Sequence, residues 1–215
     1  MDNILQEAIE KTINDPYIKW NNEKLKFKIS GEYIDYIENR PMLNQGNRLC
    51  CGYYPLLHNI ASSLGEYSLI VELGNREGLS TLAIFDALKD NHQFITFDIV
   101  HDLRFIPDEV WNDERFCFIQ CDVNQEEIVK HKISENTNRT IDLLFCDTIH
   151  TYKQINKEFN VIKKYLSDQA IILVDDIHLS DKFRFYQEWQ GKKYDITDSM
   201  HYPSGFAAFI YEVQK

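Results

Sequence analysis

Three aspartates and two histidines fall in two short segments of this 215-residue chain. Phe145-Cys-Asp147-Thr-Ile-His150-Thr-Tyr152 closes one apolar run, and Val174-Asp175-Asp176-Ile-His178 closes another. Adjacent carboxylates raise one another's pKa values unless a cation or hydrogen bonds compensate. A hard divalent ion such as Mg²⁺ is a natural compensation, since it takes a few carboxylate oxygens and leaves positions open for a ligand. Solvated strand-end acids and a metal-free acid site are the alternatives.

A second group surrounds the turn Val71-Glu-Leu-Gly-Asn-Arg-Glu-Gly-Leu-Ser80. Gly74 and Gly78 permit a sharp turn and let a ligand lie against backbone. Ser80, with Thr81 beside it, is placed to cap the next helix. Asp98 ends the following apolar run, where a carboxylate can accept hydrogen bonds from both hydroxyls of a ribose. Asp122 ends the run after that, near the place of an adenine amine. Glu72 either faces the cationic part of a ligand or orders the loop. Arg76 and Leu79 break the G-x-G-x-x-G spacing of nicotinamide sites, and no G-K-[ST] follows to make a phosphate loop.

The elements that must position these residues alternate in texture. Apolar runs at Ser68–Leu73, Phe94–Asp98, Phe116–Cys121, Ile141–Cys146 and Ala170–Val174 are separated by helix-length segments. Among the latter are Ser80–Lys89 and a helix with apolar Ile155, Phe159, Ile162 and Leu166. Near-continuous apolar strands alternating with helices predict a parallel sheet covered on both faces. Lys193–Ile196 and Phe206–Val213 leave no room for a crossover helix, which predicts an antiparallel pair at the edge. Residues 1–64 read as an N-terminal helical extension serving as lid or dimer contact, and 65–215 as the main domain. In the extension, Ile4, Leu5, Ala8, Ile9 and Ile13 share a helical face, Pro55–Leu64 forms a second helix, and Pro41, Gly46 and Gly52 punctuate a loop-rich stretch between them.

A net charge of −11 argues against nucleic acid or an anionic membrane as the main partner. No apolar run is long enough for a bilayer, and the first residues lack a signal core, so the expected location is cytoplasmic. Five cysteines without a C-x-x-C pair indicate neither a disulfide framework nor a zinc knuckle. Phe183-Arg-Phe-Tyr186 with Trp189 reads as a core-facing helix rather than a substrate wall.

Taken in order, these motifs resemble the class I S-adenosylmethionine-dependent methyltransferases. Glu72, Gly74, Gly78 and Ser80 look like that family's first motif, and Asp98 stands at its ribose-binding acid. The resemblance covers roughly residues 60–213 and implies an α/β fold: a Rossmann-like, seven-stranded, mostly parallel sheet with an antiparallel C-terminal strand and helices on both faces. It also implies that S-adenosylmethionine binds at Glu72, Gly74, Gly78, Ser80, Asp98 and Asp122.

The aspartate segments are similar to those of metal-assisted O-methyltransferases acting on sugars, and of the cephalosporin-hydroxylase-like group. Matched residue by residue, Asp147, Asp175 and Asp176 become the ligands of Mg²⁺ or another divalent cation, although Thr148 and Ile149 depart from the usual D-G-D or D-G-x-H form. The implied acceptor is a hydroxyl of a small molecule, a sugar or secondary metabolite. His150 and His178 are then the base candidates, with Asp147 as a ligand that doubles as base. A metal-independent small-molecule methyltransferase and a non-catalytic cofactor-binding module remain the alternatives, and a homodimer through the N-terminal helices is an open expectation.

Overall fold

The computed structural model describes residues 1–15, 18, 53–103, 106–200 and 202–213. Among these the chain runs α1 (Asp2–Asn14), α2 (Tyr54–Ser63), β1 (Leu69–Leu73), α3 (Leu79–Asp86), β2 (Gln93–Asp98), α4 (Asp108–Trp111) and β3 (Phe116–Gln120). It continues α5 (Glu126–Asn136), β4 (Ile141–Cys146), α6 (Tyr152–Ile162), β5 (Leu166–Asp175), α7 (Phe183–Glu188), β6 (Lys193–Asp195) and β7 (Phe206–Glu212).

The seven strands form one sheet in the order β3-β2-β1-β4-β5-β7-β6. β1 through β5 pair in parallel, while β7 is antiparallel to both β5 and β6. This is the expected Rossmann-like arrangement. Its central strands are largely apolar because successive side chains enter opposite, buried faces. Ile70, Phe94, Leu143 and Ile171 join the core under α1, α2 and α3, and their neighbours Val71, Ile95, Leu144 and Ile172 join the core under α5, α6 and α7. The order reverses between β1 and β4, so their carboxyl ends diverge into the crevice where open α/β sheets take ligands. Among the described residues no helix is long and apolar enough to cross a membrane.

Several boundaries differ from the sequence reading. α3 stops at Asp86 rather than Lys89, because Ala87 and Leu88 donate to Ile84 and Phe85 in a tightened last turn. β5 begins at Leu166, four residues early, and reaches Ile171 through a register shift against β4. On α1 the buried stripe is Leu5, Ala8 and Thr12, and Thr12 is held by a 2.9 Å bond from Asn59 of α2. Ile13 lies further round the helix and is exposed, contrary to expectation. Leu5, Leu56, Leu57 and Ile60 place α1 and α2 in the same core as α3. Phe185 is buried and Trp189 packs on Phe159 and Phe209, so the aromatic segment faces the core as expected. The stretch with Pro41, Gly46 and Gly52, and Cys50 and Cys51 with it, lies outside the described residues.

Candidate active site

The glycine turn is shaped by its neighbours before any ligand is considered. Gly74 has φ +84°, and a Cβ there would stand 2.1 Å from the Asp147 carbonyl oxygen. The sheet ladder continues past the strands at this point: Gly74 N–H bonds to Phe97 O and Asp147 N–H to Leu73 O, both at 2.8 Å. Gly78 has φ +95°, with the Ile106 side chain filling the place of its missing Cβ. Asn75 and Arg76 donate their backbone N–H groups to Asp98 Oδ2 at 2.9 and 3.1 Å, and Val100 donates to Oδ1. Asp98 thus organises the loop as well as facing the crevice.

Glu72 is fully buried and turned away from the crevice. It accepts hydrogen bonds from Ser80 Oγ (2.5 Å), Thr81 Oγ1 (2.6 Å) and Thr96 Oγ1 (2.8 Å). Of its two open roles, ordering the loop is the one this geometry performs. Ser80 and Thr81, expected to cap α3, spend their hydroxyls on Glu72 instead, and the helix has no side-chain cap. Burial raises the Glu72 pKa from 4.5 to about 7 against those three donors. Between these values the folded chain keeps a proton that the unfolded chain has lost. Stability therefore falls as pH rises through this window and levels off above it, by roughly 3 kcal/mol in all. Glu72→Gln should flatten that part of the Tm–pH curve; a wild-type curve and a variant curve of the same slope would disprove it.

A cavity of about 670 Å³ runs along the rim of the sheet. Its wall includes Gly74 and Arg76 of the turn, Asp98 at the end of β2, Asp122 after β3, and Asp147 and His150 after β4. Asp122 Oδ1 accepts the Asn124 N–H at 2.8 Å. Glu72, Gly78 and Ser80 do not line this cavity, nor do Asp175, Asp176 and His178.

At one end of the cavity, Asp147, His150 and Asp176 bring their ligand atoms within 4.8 Å of one another. The paired strand ends explain the approach, for Cys146 lies opposite Val174 in the β4–β5 register. Asp176 is buried with φ +54°, a left-handed conformation that turns it away from the strand direction. Its Oδ1 has no hydrogen-bond partner, and Oδ2 lies 3.1 Å from His150 Nδ1 without forming a directed hydrogen bond. Two carboxylates and an imidazole converging with unspent lone pairs suit a divalent cation. The donor set present therefore fits a metal.

Asp175 is placed differently. Its Oδ1 accepts the Asp176 N–H at 2.7 Å, and it is close enough to Asp147 for the two carboxyls to influence each other. Burial, then the charges of Asp147 and Asp176, push its pKa well above the usual carboxylate range. Asp147 is also raised by burial, with the Lys182 charge pulling the other way. His178 turns toward β6, where Nε2 meets Asp195 at 3.1 Å and the ring stacks on Phe183. His150, not His178, is the imidazole of this cluster.

Several residues at the site have no sequence signal. Lys182 is fully buried, donates to Asp175 O at 2.6 Å, and supplies a built-in positive charge. Tyr53, 94 positions from Asp147, directs its hydroxyl to Asp147 Oδ2 at 3.4 Å and stacks on Phe206. Buried Glu158 accepts from Thr148 Oγ1 at 2.8 Å and Gln154 Nε2 at 2.7 Å. The unexpected Thr148 thus tethers the loop between Asp147 and His150 to α6. The Tyr53 contact joins segments 94 residues apart, so spacing along the chain carries no trace of it.

A sheet of this order, with a glycine turn and acids along one rim, defines the Rossmann-like methyltransferase fold. A family model described as a methyltransferase domain matches residues 71–177, and that model and the structural neighbours are class I S-adenosylmethionine-dependent methyltransferases. Among solved structures it is similar to a Staphylococcus aureus protein provisionally described as a caffeoyl-CoA O-methyltransferase (TM-score 0.61, 14% identity, 96% of this chain and 98% of that one). It is also similar to a Geobacter sulfurreducens methyltransferase (TM-score 0.60, 13% identity, 85% and 87%). A third likeness is to cofactor-bound Rv0187 from MTB (TM-score 0.53, 15% identity, 73% and 78%). No curated protein matches the chain in sequence.

Proposed function

We propose that the protein transfers the methyl group of S-adenosylmethionine to a hydroxyl of a small molecule, a sugar or secondary metabolite, with help from a divalent cation. The observation that carries this reading is the single cavity whose wall joins the glycine turn and strand-end acids to Asp147 and His150. The bound cofactor supplies an electrophilic methyl on a sulfonium, and a cation held by Asp147, His150 and Asp176 would lower the pKa of a nearby hydroxyl.

The chain's own groups do the rest. After accepting three backbone N–H groups, Asp98 keeps one acceptor site, on Oδ1, for a ribose hydroxyl. Asp122, one strand further, is placed for the adenine amine. Asp147 receives the acceptor's proton while its position is held by Tyr53. The dominant contribution is the positioning of two reactants on one rim.

A metal-independent reading has one specific support: the 3.1 Å approach of His150 Nδ1 to Asp176, which resembles an imidazole base and its orienting carboxylate. Titration calorimetry with S-adenosylmethionine, with and without Mg²⁺ or Mn²⁺, separates the possibilities. Cofactor binding with a metal heat abolished in the double variant Asp147→Asn, Asp176→Asn supports the first reading. Cofactor binding with no metal heat favours the second. No cofactor heat at millimolar concentration would remove both.

A further inference from the structure

Lys182, the residue just before α7, is fully buried, which a lysine seldom is. Among the described residues its ammonium makes one hydrogen bond, to the neutral Asp175 backbone oxygen at 2.6 Å, and no contact ion pair. A buried charge without a counter-ion at contact distance is costly unless the field around it is favourable. The field here is acidic from three sides. The carboxyls of Asp147 after β4, Asp175 at the end of β5 and Glu158 of α6 all feel the Lys182 charge, which opposes the rise that burial imposes on each.

Between Asp175 and Lys182 the chain turns tightly. Asp176 and Ser180 are both left-handed at φ +54°, Leu179 donates its N–H to Asp176 O at 3.0 Å, and Lys182 donates its own to Leu179 O at 3.3 Å. The Lys182 side chain folds back across this turn to Asp175, which fixes a positive charge at the foot of the segment carrying Asp176. Two roles of opposite sign follow. As a tether, Lys182 would hold Asp176 in place, and its removal would weaken a cation at Asp147, His150 and Asp176. As a charge, it already neutralises part of the acid cluster and repels a second cation, so its removal would strengthen that cation's hold. The charge is the larger effect. The turn keeps its own backbone hydrogen bonds without the tether, whereas repulsion between a buried ammonium and a divalent ion in one cluster is little screened.

We infer that Lys182 is the resident counter-charge of the acid cluster, which keeps the site folded without metal and holds its affinity for a divalent cation down, a role that rests on the metal reading above. The test uses the full chain, with Mn²⁺ affinity read by electron paramagnetic resonance of the free ion and Tm by circular dichroism. Lys182→Met keeps most of the side chain's length and removes its charge. It should bind Mn²⁺ about tenfold more tightly than wild type. Its Tm without metal should fall, and saturating Mn²⁺ should raise it by more than it raises wild type. Lys182→Gln, which keeps a donor, should shift the affinity in the same direction. Unchanged or weaker Mn²⁺ binding in either variant would overturn the inference and leave the metal reading intact, as would a loss of fold that Mn²⁺ does not restore. A wild-type chain that binds no Mn²⁺ would overturn both.

Discussion

Gly74→Ala is expected to lower Tm more than any other single substitution in the cofactor turn. The new Cβ would meet the Asp147 carbonyl oxygen at 2.1 Å and its carbon at 2.7 Å, both backbone atoms that cannot rotate away. The same residue must hold φ +84°, which costs an alanine roughly 1–2 kcal/mol by itself. Adding the strain of prising β1 from β4 brings the total to about 3 kcal/mol or more. For a chain of this size that is a fall in Tm of about 6–12 °C. Gly65→Ala is the control, for its Cβ would meet only Ser68 Oγ, at 3.8 Å. Circular dichroism melts of the two variants give the answer, and a Gly74→Ala protein melting with wild type would refute the close approach of the two strand ends.

Asp176→Asn should give the second large effect, on metal binding rather than on stability. Asparagine tolerates the left-handed backbone at φ +54° and keeps the side-chain shape, so the fold survives. It removes one of two carboxylates converging on the cluster. Mn²⁺ affinity should fall by about 100-fold or more, beyond what loss of an outer-shell partner produces. Asp175→Asn can still accept the Asp176 N–H, so it should hold Mn²⁺ affinity within about threefold. Electron paramagnetic resonance of free Mn²⁺ reads both. Equal losses in the two variants would show that the Asp-Asp pair acts as a unit and that Asp175 is not set apart from the cluster.

That contrast between two neighbouring aspartates marks the limit of what could be read from spacing. The sequence placed Asp147 beside the Asp175–Asp176 pair because parallel neighbours deliver their carboxyl ends to one rim. It could not separate the pair. Asp175 is the last residue of β5 and lies close to Asp147, while Asp176 begins a left-handed turn that redirects its carboxylate toward His150. His150 and His178 were equivalent candidates in the sequence; β6 decided between them by offering Asp195 to one.

The sequence by itself determined the sheet and the rim. Strands buried on both faces are apolar at most positions, so their runs stand out along the chain. Catalytic chemistry in such a sheet must gather at strand ends, where Gly74, Asp98, Asp122 and Asp147 fall in order. The tertiary structure alone decided which way each side chain turned. Glu72 faced three hydroxyls rather than a ligand, Tyr53 arrived from a distant segment, Lys182 folded back onto the end of β5, and Ile13 was left in water. Periodicity reports which residues must be buried; the partner a polar group finds depends on packing between elements that are far apart in the chain.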